Sequence, residues 1–443
     1  MPLARTRCLV LVLVLLGLAE RGGVLAQGQQ AQPVTLTVMV GMTPQELDSF
    51  RPALAAVDEA HPEFVVELEP VPQGAFAERV NARLAAGTLP DLVRIEGLSA
   101  QRWIRRDAFL ALDSLPGFDA AVLDDYFPGV LEPFRWQGAL WALPDTASPD
   151  VLFYDKAAFD EAGLAYPTDD WTFEDMREAA IALTRDAEGR SPRDPAFDPD
   201  RIVRWGWNGS LTHMWQRHLV QAFGADWCAD ELCTTFDATD PDVVAAARWW
   251  ADLVQVDHAG LYDPYSGGQT GVPGDPFLSG AAAMGYNGFF AVGQLNDVGG
   301  IDYDVAQPLL GVDGQRHTPL STNGYAIAAT SPHPTEALAL LSELTATGFL
   351  AETWGRPGHA VPARRSAAGS IVDPSRAPAN QEAILAAMEY ATVFRPFTPS
   401  AFEAYGLTAD LFARTMRGEV PVEEGLAEIE RVLNDALAAD RQP

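Results

Sequence analysis

The sequence predicts an α/β protein built as two domains. Short β-branched runs alternate with amphipathic stretches over the first hundred residues, the pattern of a mainly parallel sheet whose ligands gather at the carboxyl ends of its strands. The chain has 443 residues, about 415 of them after an export signal, more than one ordinary core organises. With 48% hydrophobic residues, both cores can be filled.

The first segment sets the compartment. Arg5 and Arg7 precede an apolar run from Cys8 to Leu16, followed by small residues around Val24-Leu25-Ala26, the layout of a secretory signal peptide. This run of nine residues is shorter than the roughly 20 that a spanning helix needs, and no second such run occurs. Cleavage is expected near Ala26, making 1–26 the signal. No cysteine follows to accept a lipid, so the protein is expected to be soluble and exported, periplasmic or extracytoplasmic, without a lipid anchor.

The elements then follow in order. Residues 35–40 (Thr-Leu-Thr-Val-Met-Val) read as a strand ending at Gly41, and Pro44 to Ala60 as a helix. Phe64 to Leu68 alternates as a strand, Ala75 to Ala86 is an amphipathic helix ending at Gly87, and Pro90 to Ile95 is a third strand. From Leu143-Pro144 the pattern becomes an extended segment with Val151 to Tyr154, followed by a helix from about Ala157; residues 143–150 read as a first crossing into the second domain. Helices are expected around 171–184, 211–223 and 240–256, a strand-like run from Ala281 to Phe290, and strands at Tyr303 to Pro308 and Gly324 to Ala329. From about 380 the chain reads as helical, with a terminator at Gly418 and a last amphipathic stretch from Val422 to Leu437.

Composition removes several functions. The net charge of −31 is spread along the chain and opposes binding to nucleic acid or an anionic membrane surface. Lys156 is the only lysine, which reads as a composition bias. Of three cysteines, Cys8 leaves with the signal, and Cys228 and Cys233 form an even pair in an oxidising compartment, expected as a disulfide; a metal site would need further ligands, and no histidine lies near them in sequence. No nucleophile elbow, zinc-protease helix, Walker loop or dinucleotide fingerprint occurs, so no catalytic residue and no cofactor are expected. The acidic pairs Asp124-Asp125 and Asp169-Asp170 read as solvated surface, His213 and His218 do not stack on one helical face, and Asp194, Asp198 and Asp200 match no calcium loop, so no metal is expected either.

Four separated segments carry a resemblance. Ala-Ala-Gly-Thr-Leu-Pro-Asp-Leu-Val at 85–93, Leu-Phe-Tyr-Asp-Lys at 152–156, Phe-Leu-Ser-Gly-Ala-Ala-Ala-Met-Gly-Tyr-Asn-Gly-Phe-Phe at 277–290 and Gly-Arg-Pro-Gly-His-Ala-Val-Pro-Ala-Arg-Arg at 355–365 resemble, in order, segments of the bacterial extracellular solute-binding proteins of the sugar-binding family that includes maltose-binding protein. Phe290 stands where that family commonly has a tryptophan, and Ile95 where maltose-binding protein places an aromatic, so a maltodextrin ligand is not implied. The resemblance implies a periplasmic-binding-protein-like fold of the type II class, with two lobes, several hinge crossings and a ligand cleft between the lobes. The lobes are expected as 33–143 plus 308–355 and 144–307 plus 356–443. It further implies a monomer that binds a small polar solute, a mono- or oligosaccharide, and delivers it to the membrane permease of an ABC importer by lobe closure.

Sugars present hydroxyls to polar groups and C–H patches to aromatic rings, which guides the choice of site residues. Within Trp205-Gly206-Trp207-Asn208-Gly209-Ser210, the two tryptophans are expected to point opposite ways; Trp207 with Asn208 is assigned to the ligand and Trp205 to the core. Thr43 and Glu96 follow strands at ends facing the cleft, although Thr43 equally suits a helix cap. Glu96 and Asp145 would pair with hydroxyls or a cationic group. By resemblance Asn287, Phe289 and Phe290 line the cleft, Phe290 favoured over Phe289, and Asn323, Arg356 and Tyr405 mark its neighbourhoods. Trp249-Trp250 read as packing and Trp171 as a helix anchor. The competing readings are a secreted glycoside hydrolase, which needs two carboxylates about 5 to 10 Å apart, and a binding protein for a polyamine, phosphodiester or peptide.

Overall fold

The structure, a computed structural model, describes residues 33–209, 213–230, 233–263, 274–393 and 401–440, with the backbone alone at 213–216 and 401–405. Strand β1 (Val34–Gly41) leads through α1 (Pro44–Ala60), β2 (Phe64–Val71) and α2 (Gln73–Ala85) to β3 (Leu92–Glu96) and α3 (Gly97–Ile104). Helix α1 starts where its capping box forms: the Thr43 hydroxyl accepts from the Glu46 N–H, the Glu46 carboxylate accepts from the Thr43 N–H, and Pro44 takes the first turn. β1 pairs in parallel with β2 and with β3, as two strand-helix-strand units require.

A hairpin of β4 (Arg135–Trp136) and β5 (Ala139–Leu140) leads into β6 (Leu143–Asp155), a strand of 13 residues buried at every position but the last. After it come α4 (Lys156–Ala162), α5 (Phe173–Leu183), β7 (Arg185–Asp186), β8 (Ile202–Asn208), α6 (His213–Gln221), α7 (Pro241–Gln255), β9 (Gly260–Leu261), β10 (Ala282–Gly288) and α8 (Phe290–Val298). β11 (Tyr303–Ala306), β12 (Pro319–Ile327), α9 (Pro334–Leu344), β13 (Val361–Pro362) and β14 (Thr392–Val393) follow, before two long helices, Ala401–Met416 and Val422–Asp440. Cys228 and Cys233, on the connection from α6 to α7, are joined as a disulfide with Cα atoms 4.7 Å apart.

Strand β6 belongs to two sheets. Leu143 to Pro149 run antiparallel to β12, which pairs with β3; Asp150 to Tyr154 run antiparallel to β10, and Leu152 to Asp155 pair with β11. The changeover falls between Pro149, opposite Leu320, and Asp150, opposite Gly288. Proline has no N–H for a ladder, which suits the residue where one set of partners ends. The extended segment read from the sequence at 143–150 is the part of β6 in which the pairing partners change.

Two hydrophobic cores flank the strand. The first gathers β1, β2, β3, β12 and the helices around them and extends across β6 to Phe289, α8 and β11; the second gathers α5, α7, β8 and the C-terminal helices through Phe412, Met416, Leu426, Ile429, Leu433 and Leu437. Alternation divides β6 between them, with Val151 and Phe153 in the first core and Leu152 and Tyr154 in the second. The expected division at 355/356 does not match the packing. Val361, Ala363, Ile371, Ile384, Met388 and Val393 join the first core, because β13 pairs with the first half of β6 and β14 with β12. The region expected as one helical stretch from 380 is a short helix at Glu382–Ala387, then β14, before the long helices begin.

Candidate functional site

The pairing registers bring the carboxyl ends of both sheets to the middle of β6. β3 runs parallel to β6 and ends at Glu96, opposite Asn323, which is itself opposite Thr146. β10 runs the other way and ends at Gly288, opposite Asp150, while parallel β8 ends beside it, with Asn208 opposite Gly285. The strand ends of the two sheets therefore meet along residues 146–150, a switch point of the kind at which α/β sheets bind ligands.

On the first sheet, Thr43 is exposed and serves as the α1 cap, so its hydroxyl is already engaged with the Glu46 N–H at 3.3 Å. Glu96 is reached by solvent yet closely surrounded by protein, as a group on a cleft floor is; desolvation raises its carboxyl above the usual range, against a 3.5 Å bond from Ser99 and the charges of Arg94 and Arg102. Asn323 is half-buried and its Nδ2 donates to Thr146 Oγ1 at 3.4 Å. Asp145 does not face a ligand. It is fully buried, accepts from Arg94 Nε at 2.6 Å and from Thr146 Oγ1 at 3.2 Å, and the Arg94 guanidinium lies over the Trp354 ring at 4.4 Å. Burial opposes the Arg94 charge, but the Asp145 carboxylate more than restores it. Convergence of Glu96 and Asp145 as a hydrolytic pair is therefore not what this arrangement provides.

On the second sheet, Trp207 is fully buried, stacked on Trp250 at 5.9 Å and edge-on to Tyr286 at 5.4 Å. The expectation for the two tryptophans is overturned: two apart on β8, they share a face rather than pointing opposite ways, and the half-buried ring is Trp205. Helix α5 covers the other face of β8, where a Cβ on Gly206 would lie 2.0 Å from the Ala180 carbonyl, while Trp207 is buried against Trp250 of α7 and Tyr286 of β10. Asn208 is also buried; its Nδ2 donates to Asp275 at 3.2 Å, and the Asn287 Nδ2 donates to the other oxygen of Asp275 at 2.8 Å. Phe289 is buried and its N–H donates to Ser148 Oγ at 2.7 Å, whereas Phe290 is 46% exposed at the start of α8. Arg356 is exposed and ion-paired with Glu352. The Tyr405 side chain lies outside the described residues.

Three neighbours of this site went unread in the sequence: Ser148, Asp150 and Asp275. The first two lie in the segment identified as a crossing, and a Ser-Pro-Asp where a chain changes sheets was the available signal. Asp275 lies on a loop and carried none. Beside the site, a cavity of about 220 Å³ opens between Gln45, Phe289, Asn296, His359 and Arg376. Its polar walls are largely satisfied internally, since Asn296 bonds to Ala377 and Tyr303, and Arg376 to the Pro357 and Arg356 carbonyls. Among the described residues no three His, Cys, Asp or Glu side chains gather as a metal site, and no helix is long and apolar enough to cross a membrane. Asp194 and Asp198 instead accept turn N–H groups from Ala196 and Asp200.

A family model for bacterial extracellular solute-binding proteins matches residues 43–348, more than half of the chain. The mannitol-binding protein of Pseudomonas aeruginosa is 28% identical over 171 residues, covering 38% of this chain and 37% of that protein. Among solved structures, an ABC substrate-binding protein of Listeria monocytogenes in complex with cycloalternan superposes with a TM-score of 0.76 at 20% identity, over 92% of this chain and 99% of that one. The cyclic α-maltosyl-1,6-maltose binding protein of Arthrobacter globiformis gives 0.76 at 18% identity over 92% and 100%. At such identities these structures establish the shared fold.

Proposed function

The chain belongs to the family of bacterial extracellular solute-binding proteins, and from that premise we propose that it captures a mono- or oligosaccharide or a sugar alcohol and releases it chemically unchanged to an ABC-type permease. The observation that carries the reading is the meeting of both sets of strand ends on residues 146–150, flanked by the exposed Phe290 ring on one side and the Glu96 carboxyl on the other. A ring offers the C–H face of a sugar its partner, and carboxyl and amide groups take the hydroxyls. Sugars and sugar alcohols are also what the matched relatives are described as binding.

In this reading Glu96, Asn323 and the start of α1 at Thr43 form one wall, and Phe290 with the Asn287-Gly288 strand end forms the other. The lobes are 33–143 with 308–393, and 150–307 with 401–440, hinged on the changeover in β6. Closure about that strand lets a solute touch both walls, and a solute that touches both favours the closed form. The signal is removed near Ala26, no lipid is attached, and the protein acts as a monomer.

A thermal-shift screen against sugars, sugar alcohols, polyamines and peptides tests this. A ligand at about 100 times its Kd stabilises the folded state by about 2.7 kcal/mol, an unmistakable shift. A shift with a sugar or polyol, and its recovery unchanged by chromatography, is expected. Shifts with polyamines or peptides alone, or a sugar converted to product, would sink the reading.

A further inference from the structure

Asp150 sits where β6 changes sheets, directly opposite Gly288, so its side chain leaves the sheet on the face where a Cβ on Gly288 would. That face carries the Phe290 ring: a Cβ on Gly288 would lie 2.5 Å from Phe290 Cε1 and 2.6 Å from Ser148 Oγ. Glycine at 288 is what lets the exposed ring rest against the strand beside Asp150. Asp150 itself is 2% exposed, and its Oδ2 has no hydrogen-bond partner.

The groups around it supply no counter-charge. Asp275, on the segment entering β10, is the charged side chain that acts on it, and it repels. Burial raises the Asp275 carboxyl as well, but it accepts from Asn208 and Asn287 and from the N–H groups of Phe277 at 2.7 Å and Leu278 at 3.2 Å, so of the two carboxyls it is the one better equipped to hold a charge. From β10 comes the Tyr286 phenol, kept neutral by burial. Thr318, at the entry to β12, gives its hydroxyl to the Asp150 main-chain oxygen at 2.6 Å. His218 of α6 reaches this region through Thr392, which bonds to the Thr318 carbonyl, and burial keeps its ring neutral. Arg316, which acts on Tyr286, bonds to the Pro308 and Asp169 carbonyls. A carboxyl buried without donor or cation takes up a proton, and burial together with Asp275 does raise Asp150 well above the usual range.

We propose that Asp150 is a ligand-recognition residue that works as a neutral carboxylic acid, donating a hydrogen bond to a hydroxyl of a solute resting on the Phe290 ring. The proposal rests on the sugar or polyol reading above and adds a selection rule to it. The Phe290 ring turns off Gly288 as the solute arrives, and the orphaned carboxyl gains the partner it lacks. Hydroxylated neutral solutes are accepted, and sugar acids are rejected by the neighbouring Asp275 carboxylate. Ionising Asp150 removes the donor and sets a second negative charge beside Asp275, so binding weakens in base.

Two readouts on the whole protein test this. The ligand-free infrared spectrum at neutral pH is expected to show the C=O stretch of a protonated carboxyl, lost in Asp150→Asn. Calorimetric titration with D-mannitol and with maltotriose is expected to show affinity falling about tenfold per pH unit above the pH at which that band disappears. Asp150→Asn, which still donates but cannot ionise, flattens this fall, and Asp150→Ala weakens binding at every pH. The coincidence of band and affinity is read on the wild type, so a variant that fails to fold does not remove the test. Absence of the band at neutral pH, or an alkaline fall that persists in Asp150→Asn, overturns the proposal while sugar binding stands. A band with no binding of either probe overturns the sugar reading, and the donor role with it.

Discussion

Asp145 and Asp150 stand five residues apart on one strand, both buried, and are held in opposite ways. Asp145 lies in the half of β6 that belongs to the first sheet and meets the Arg94 guanidinium at 2.6 Å, with Thr146 completing its bonds. Asp150, in the second sheet's half, stands opposite Gly288, over which the Phe290 ring lies, and is repelled by another carboxyl, Asp275. Burial asks the same of both, that the charge be compensated or removed, and the two halves answer with a counter-ion and with a proton. The difference extends outward: the first wall is fixed by polar bonds among Arg94, Thr146 and Asn323, and the second by packed rings, Trp250 stacked on Trp207 and Tyr286 edge-on to it.

The largest effects test that contrast directly. Arg94→Met strands the Asp145 charge and is expected to lower unfolding free energy by about 3–5 kcal/mol at neutral pH, read from urea titration. Trp207→Ala removes a fully buried ring and is expected to cost about the same, through the core. Asp150→Asn, on the same strand, is expected to cost far less. Equal losses for Arg94→Met and Asp150→Asn would break the comparison.

Titration sharpens it from two sides. His218 is held down to about 3 by burial, so between the ordinary value near 6.5 and about 3 the unfolded chain binds a proton that the folded chain refuses. Stability contributed by the neutral ring is therefore present above about pH 6.5 and lost as pH falls through that window. Asp150 is raised, so the folded chain keeps a proton the unfolded chain has released, and its contribution is lost as pH rises from the usual aspartate range through its raised value. His218→Gln is expected to make the acid limb shallower and Asp150→Asn the alkaline limb, each measured by thermal melting across pH.

The Cys228–Cys233 bridge closes a loop of six residues, and in the chain-entropy account its removal costs about 2 kcal/mol. Cys228→Ser with Cys233→Ser is expected to lower stability by that amount, the effect falling on the second core, which holds both cysteines. A loss spread over solute binding as well would show that the two walls are less independent than their packing suggests.

How much of this the sequence carried differs by link. The alternation of strands and helices, the α1 cap at Thr43 and the crossing at 143–150 were legible because each is written in local residues: β-branched runs, a Thr three before a Glu, a pair of prolines in an extended segment. The packing of 361–393 with the first core was not, because two-residue strands such as β13 are defined by their distant partners in β6. At the site, Trp205 and Trp207 stand two apart and share a face of β8, and which of them is buried is set by distant partners, Trp250 and Tyr286, that pack on Trp207. Asp145 and Glu96 read alike as carboxylates able to pair with hydroxyls or a cationic group. Only the guanidinium of Arg94, 51 residues away, distinguishes them.

The smallest effect concerns Phe290, and it separates binding from folding most cleanly. The ring is 46% exposed and rests over Gly288, outside both cores, so truncation opens no cavity in either, and Phe290→Ala is expected to leave the melting temperature nearly unchanged. Its adjacent residue, Phe289, is 2% exposed in the first core, and Phe289→Ala should destabilise strongly. If solutes rest on Phe290, the alanine variant loses an aromatic contact of about 0.5–1.5 kcal/mol, roughly a two- to tenfold rise in Kd at constant stability. Phe290→Trp enlarges the same platform and is expected to hold or tighten binding. A Kd unchanged in both variants would move the solute away from this wall of the site and leave the exposed ring without a ligand.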